Sequence, residues 1–189
     1  MTIMDSAPTQ GKRSWGWVVV VGLVLLLVGG GFGMYAVSNG VAASRYADSS
    51  GAVGSLSIPR LEKDGVPIVS GTTLEALRQG VGWYEGTAAP GEIGNFALTG
   101  HRLGWGQPFA DLGSLEVGDE VRVSVGEDTY VYHVITSPTV IYGEDTNVLA
   151  PVPGDPTLIP TKALLTLTTA ADLLPSPNRL VVVAELADE

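Results

Sequence analysis

The stretch Leu164-Leu165-Thr166-Leu167-Thr168-Thr169-Ala170 reads as a buried strand, rich in Leu and Thr and ending at a small residue. Nine residues after Ala170, Arg179 heads a second apolar run, Leu180-Val181-Val182-Val183-Ala184. Far upstream, Leu98-Thr99-Gly100-His101-Arg102 carries one of the two histidines in the chain. A strand end, a histidine and an arginine at the mouth of a returning strand would make a good site for a cysteine nucleophile. The 189 residues contain no cysteine, so the reactive atom of such a site is missing.

The bulk composition allows one domain of ordinary size plus a short anchor. Hydrophobic residues make up 45% and charged residues 16%, enough to build a core. The net charge of −10 argues against a nucleic-acid partner. Lys12, Arg13 and Asp5 give residues 1–14 a net of +1, so the remainder carries −11. The absence of cysteine excludes a disulfide framework and says little about redox compartment.

Residues 1–14 are short and polar, with Pro8 and Gly11, and are expected to be disordered as a cytoplasmic N-terminus. Residues 15–35 contain no charge across 21 positions. A helix of that length spans roughly 30 Å, the hydrocarbon thickness of a bilayer. Trp15, Trp17 and Tyr35 stand at its two ends, and Lys12 and Arg13 flank its start. That arrangement predicts a single transmembrane helix with the N-terminus cytoplasmic and the domain extracellular. The competing reading is a cleaved signal peptide with core Val18–Val28 and a small-residue site at Ala36-Val37-Ser38. Gly29 and Gly33 have the GxxxG spacing, a weak signal in a segment already rich in glycine. Residues 36–54 read as a flexible stalk and residues 55–189 as the folded domain.

Within the domain, short strand candidates follow one another without a long helical period. Ser55–Ile58, Val66–Val69 and Phe96–Thr99 are three of them. Glu120–Val125 and Tyr130–Ile135 alternate cleanly around Gly126-Glu127-Asp128-Thr129 and predict a hairpin. Residues 72–79 predict a short helix, with Thr72 or Thr73 as N-cap and Gly80 as the stop, and residues 108–115 another helical turn. Many short strands with Gly- and Pro-rich connections predict an all-β barrel or sandwich carrying small helices.

Three segments resemble those of the sortases, the membrane-anchored cysteine transpeptidases of Gram-positive bacteria. Asn95-Phe96-Ala97-Leu98-Thr99-Gly100-His101-Arg102 resembles the catalytic-histidine segment. Thr166-Leu167-Thr168-Thr169-Ala170 resembles the Thr-Leu-x-Thr-Cys strand end, with Ala in place of Cys. Asn178-Arg179-Leu180-Val181-Val182 resembles the segment where a catalytic arginine precedes the last strand. Residues 80–87 and 108–112 also match, and the likeness, running from about residue 56 to 186, is greatest to class E. It implies a closed eight-stranded β-barrel with His101, position 170 and Arg179 meeting at one end. It implies cleavage of an LPxTG- or LAxTG-like sorting signal between Thr and Gly, then transfer to an amine on a lipid II-like cell-wall precursor. No cofactor is needed for that chemistry, and no acidic cluster in the sequence singles out a calcium site.

In this reading a neighbouring His⁺ or Arg favours the thiolate of the nucleophile. His101 would protonate the departing glycine amine and deprotonate the incoming one. Arg179 offers fixed donors for the substrate carbonyl or developing oxyanion. The backbone N–H of Ala171 is a second candidate oxyanion donor, the Thr169 hydroxyl a candidate for orienting substrate, and Asn178 a further candidate contact. His133, within an alternating strand, reads as structural, and Trp83, Tyr84 and Trp105 as packing or rim residues. A hydroxyl of Thr168, Thr169 or Ser176 is a poor substitute nucleophile without a strong base beside it. Ala170 has two explanations: a Cys→Ala variant of an active enzyme, or a natural pseudoenzyme that binds sorting signals or a partner without cleaving. The stretch Ala171-Asp172-Leu173-Leu174-Pro175 departs from the polar-then-Pro pattern many sortases show after the cysteine, and Asp172, if near Arg179, would tune its position.

Overall fold

The computed structural model describes residues 51–143 and 145–188. The expectations for residues 1–14, for the transmembrane helix at 15–35 and for most of the stalk lie outside the described residues. Among the described residues no helix is long and apolar enough to cross a membrane.

Among the described residues nine strands run in the order β1 (Ala52–Ile58), β2 (Lys63–Ser70), β3 (Val81–Trp83), β4 (Gly94–Thr99), β5 (Glu120–Val125), β6 (Asp128–Val134), β7 (Thr139–Ile141), β8 (Ala163–Ala170) and β9 (Arg179–Leu186). Their hydrogen-bonded order is β6-β5-β1-β2-β3-β4-β8-β9-β7, and a further β6–β9 pairing closes the ring. Eight strands therefore form a closed barrel, and β7 is a short ninth that pairs with Arg179–Val181 of β9. Closure removes the free edges that an open sheet would expose. β1 begins at Ala52, three residues inside the stretch read as stalk.

Alternation fills the barrel interior with Leu56, Ile58, Ile68, Phe96, Leu98, Val121, Val123, Tyr132, Leu165, Leu167 and Val182, each nearly inaccessible to solvent. β4 and β8 form a parallel pair, and β8 is buried along nearly its whole length. Its polar side chains are satisfied inside: Thr166 Oγ1 donates to Asn95 Oδ1 at 2.7 Å and Thr168 Oγ1 to the Leu98 carbonyl at 3.2 Å. Asn95 Nδ2 donates to the carbonyls of Val148 and Ala150, which pins the long β7–β8 connection against the barrel. Trp83 packs edge-on against Phe96, with ring centroids 5.4 Å apart, so its role is packing.

The hairpin has a two-residue turn rather than four, because Val125 pairs directly with Asp128. Gly126, at φ +60°, takes the first central position that favours glycine in such a turn. The first helix candidate is a single turn, α1 (Leu74–Leu77), capped by Thr73 Oγ1, which accepts from the Ala76 N–H at 3.2 Å. The second is a 3-10 turn at Leu112–Ser114.

Strand directions fix where the chain enters. β1 is antiparallel to β2, β2 parallel to β3, and β3 antiparallel to β4, so β1 and β4 run the same way. β4 and β8 both finish at the end that carries His101 and Ala170. The N-terminal end of β1 therefore lies at the opposite mouth of the barrel.

Candidate active site

Register brings the three segments together. Thr99 lies opposite Thr168 in the parallel β4–β8 pair, and Gly100 N–H donates to the Thr168 carbonyl at 3.2 Å. Two residues beyond the Thr99–Thr168 pair, His101 follows β4 and Ala170 ends β8. On the other side of β8, Ala170 is the direct cross-strand partner of Arg179. Such partners have Cα atoms about 4.5–5.5 Å apart. His101, Ala170 and Arg179 line one open cleft of about 370 Å³, with Arg102, Asp172 and Leu173 among its other walls. A second cleft of about 310 Å³ adjoins it across Arg179 and is lined by Tyr84, Thr168, Val148 and Leu149.

Local packing explains the turn that carries His101. A Cβ on Gly100 would stand 2.8 Å from Cδ2 of the fully buried Phe109, so no larger residue fits. The loop from His101 to Phe109 then closes on itself through Phe109 N–H donating to the His101 carbonyl at 3.2 Å. Within it Gly104, Trp105, Gly106 and Gln107 all have positive φ, at 76°, 43°, 77° and 47°. The Trp105 ring lies against the His101 imidazole, with centroids 4.7 Å apart. His101 Nε2 is buried and has no hydrogen-bond partner. Buried polar atoms are nearly always satisfied, which sets His101 Nε2 apart from the other polar side-chain atoms among the described residues.

Arg179 is exposed, and its Nη1 donates to the carbonyls of Ser176 at 3.1 Å and Asn178 at 3.0 Å. The rest of the guanidinium makes no hydrogen bond among the described residues.

The other three site candidates are engaged inside the protein. Thr169 Oγ1 is buried and donates to the Gly100 carbonyl at 2.9 Å, tying β8 to the histidine turn. The Ala171 N–H, expected as an oxyanion donor, instead donates to the Asn178 carbonyl at 3.1 Å, because the loop between β8 and β9 continues the ladder by one residue. Asn178 Oδ1 accepts from Gly143 N–H at 3.2 Å and its Nδ2 donates to Asp172 at 2.9 Å, so it joins two loops. Asp172 has no ion pair with Arg179. Its carboxylate accepts from Ser176 Oγ and Asn178 Nδ2, and these bonds, with the Arg102 charge nearby, hold it below the usual aspartate range. His133 stands on β6, exposed, with Nδ1 3.3 Å from the Gly118 carbonyl, and lines neither cleft.

One residue at the cleft escaped the sequence reading although it adjoins His101. Arg102 Nη1 donates to the carbonyls of Ala170, at 3.3 Å, and Ala171. It thereby fastens the end of β8 to the histidine loop. Its place in the Gly-His-Arg turn was the available signal, but carbonyl partners 68 and 69 residues away leave no mark on local sequence.

A profile of the Sortase domain family matches residues 56–187, nearly the whole barrel. The chain belongs to the sortase family. Sortase SrtE1 of Streptomyces coelicolor is 34% identical over 141 residues, covering 71% of this chain and 40% of that protein. Sortase D of Bacillus subtilis is 32% identical over 107 residues, covering 57% of this chain and 52% of that one. The chain thus spans about half the length of these curated relatives. Among solved structures, sortase E from Streptomyces avermitilis aligns with a TM-score of 0.65 at 38% identity, over 72% of this chain and 88% of that one. The SrtA sortase from Actinomyces oris aligns with a TM-score of 0.66 at 35% identity, over 71% of this chain and 78% of that one. The sortase barrel expected from the sequence is therefore the fold that is found, with β7 added.

Proposed function

We propose that this chain has the frame of a membrane-anchored sortase that cleaves an LPxTG- or LAxTG-like signal between Thr and Gly and passes the acyl group to a cell-wall amine. Residues 15–35 would be its anchor, with the barrel outside the cell. The observation that carries the reading is the convergence of His101, Ala170 and Arg179 on one cleft, with Ala170 and Arg179 paired directly across β8 and β9.

With sulfur at position 170, the thiolate attacks the Thr carbonyl carbon and a C–S bond forms. Arg179 stabilises the oxyanion, the Thr–Gly C–N bond breaks, and His101 gives its proton to the leaving amine. The incoming amine then loses a proton to His101 and displaces sulfur. A methyl group at 170 supports none of these bond changes. Loss of the nucleophile alone removes on the order of 10⁶-fold of the rate in a well-studied hydrolase, so the chain as it stands is inactive in transpeptidation. The retained histidine, arginine and Thr-rich strand end favour a Cys→Ala variant of an active enzyme.

The test is Ala170→Cys. That variant should cleave a sorting peptide at Thr–Gly, and addition of His101→Ala or Arg179→Ala should abolish cleavage. A folded Ala170→Cys chain that leaves such peptides intact would overturn the reading. The adjoining cleft along Tyr84 and Thr168 does not involve position 170, which keeps binding without cleavage as a second reading. Saturable binding of a labelled sorting peptide to the chain as it stands, with no turnover after Ala170→Cys, is the result that would favour it.

A further inference from the structure

Resting on the reading of His101 as the acid–base group, we propose that Trp105, steadied by Arg78 of α1, is a positioning residue that sets the orientation of the His101 imidazole.

A catalytic histidine is ordinarily aligned by a third group that hydrogen-bonds its second nitrogen. No such group is present here. The His101 imidazole makes no hydrogen bond among the described residues, and its Nε2 is buried without a partner. What touches the ring face is the indole of Trp105, 4.7 Å away between centroids and tilted by 37°. Stacking thus does the aligning that a carboxylate or carbonyl does elsewhere. Aromatic contact at this spacing is favourable and orientation-dependent, and it orients the ring without a hydrogen bond to either imidazole nitrogen.

Trp105 is in turn held. The guanidinium of Arg78 lies 5.4 Å from its ring centroid, within cation–π range. Arg78 is the C-cap residue of α1 and pairs with Glu75 at 3.4 Å, so the support comes from a capped helical turn rather than from the loop itself. The Trp105 backbone has φ +43°, a conformation costly for a bulky side chain and kept only where surroundings impose it. Packing alone does not account for it, since Trp105 is half exposed at 50% while Trp83 fills the core. A strained, half-exposed indole whose inner face covers the histidine is explained by the orientation it imposes.

The test has two arms. In the chain as it stands, the two histidines make the imidazole resonances assignable, with His133 as internal reference. Trp105→Ala should shift the His101 ring resonances toward those of a free imidazole and leave His133 unmoved, while Trp105→Phe should keep most of the ring-current shift. In the Ala170→Cys background, Trp105→Ala should lower kcat by at least about tenfold with KM within about twofold, as misorientation of a reacting group does. Trp105→Phe should restore most of that loss. Arg78→Gln, which leaves the loop sequence intact, should give a smaller loss in the same direction. Unchanged His101 resonances in Trp105→Ala would overturn the proposal, as would a change confined to KM. If Ala170→Cys is itself inactive, the functional reading fails, and the resonances alone decide whether Trp105 positions the ring.

Discussion

Ala170 and Arg179 are direct partners across β8 and β9, the last pair of a seven-residue antiparallel ladder that begins at Leu164 and Glu185. The ladder fixes the separation of the two positions, and the following Ala171–Asn178 hydrogen bond extends it by one step. As direct cross-strand partners, Arg179 and Ala170 stand side by side on the same face of the sheet. His101 reaches the same place from β4 through a turn that only glycine allows.

Arg102 holds that turn to β8. Arg102→Ala removes the donor to two partly buried carbonyls, those of Ala170 and Ala171, and should cost about 1–3 kcal/mol in denaturant unfolding. Arg102→Lys should recover only part of the loss, because one ammonium cannot reproduce the fixed fork of a guanidinium.

Gly100→Ala places a methyl against the Phe109 ring, whose nearest atom would be 2.8 Å away. Overpacking of this kind costs about 1–3 kcal/mol, read as a lowered midpoint of denaturant unfolding. The resulting shift of the turn should also move the His101 ring resonances, whereas Gly126, in the distant hairpin, offers a control substitution that leaves them unchanged.

Tyr132 is fully buried, and burial pushes its phenol up to about 12. A folded-state value above the unfolded one means that the neutral phenol's contribution is complete below pH 10 and is lost as pH rises toward 12. That contribution is roughly 2–3 kcal/mol. Stability measured against pH should fall between those limits in the parent. In Tyr132→Phe this part of the fall should vanish, and the neutral-pH stability should drop, because the Gly91 N–H loses the hydroxyl it donates to at 2.8 Å.

Asp172 acts at the other end of the pH scale. Its carboxyl lies below the ordinary aspartate value because Ser176 and Asn178 donate to it. The loop it closes should be fully ordered above that ordinary range and loosen as pH falls through the depressed value. Amide exchange at Ala171 and Asn178 should quicken in acid, and in Asp172→Ala it should be quick at every pH.

The barrel was legible where its strands are long and alternate. β5, β6, β8 and β9 each stand out by pattern, and the Thr73 cap announces α1. β3 and β7 are three residues each, too short for a period to register, and the β6–β9 closure joins strands about 50 residues apart in sequence. His101 and Arg179 were singled out by the resemblance of their segments rather than by local pattern, and both line one cleft. Thr169, Ala171 and Asn178 were expected to face substrate, yet their polar groups close the loops that shape the cleft. A strand-end polar group is claimed by whichever partner reaches it, and the partner is set by tertiary contacts. Trp105 looked like a rim residue, and its contact with His101 depends on a run of positive φ that only the folded loop displays.

The central claim is that position 170 is the place of a thiol served by His101 and Arg179. Intact-mass measurement of the Ala170→Cys chain, incubated with a sorting peptide and no amine, tests it most directly. The account predicts an adduct heavier by the acyl portion of the peptide through Thr, its appearance abolished by His101→Ala and its discharge on adding an amine. A folded Ala170→Cys chain that retains its unmodified mass would contradict it.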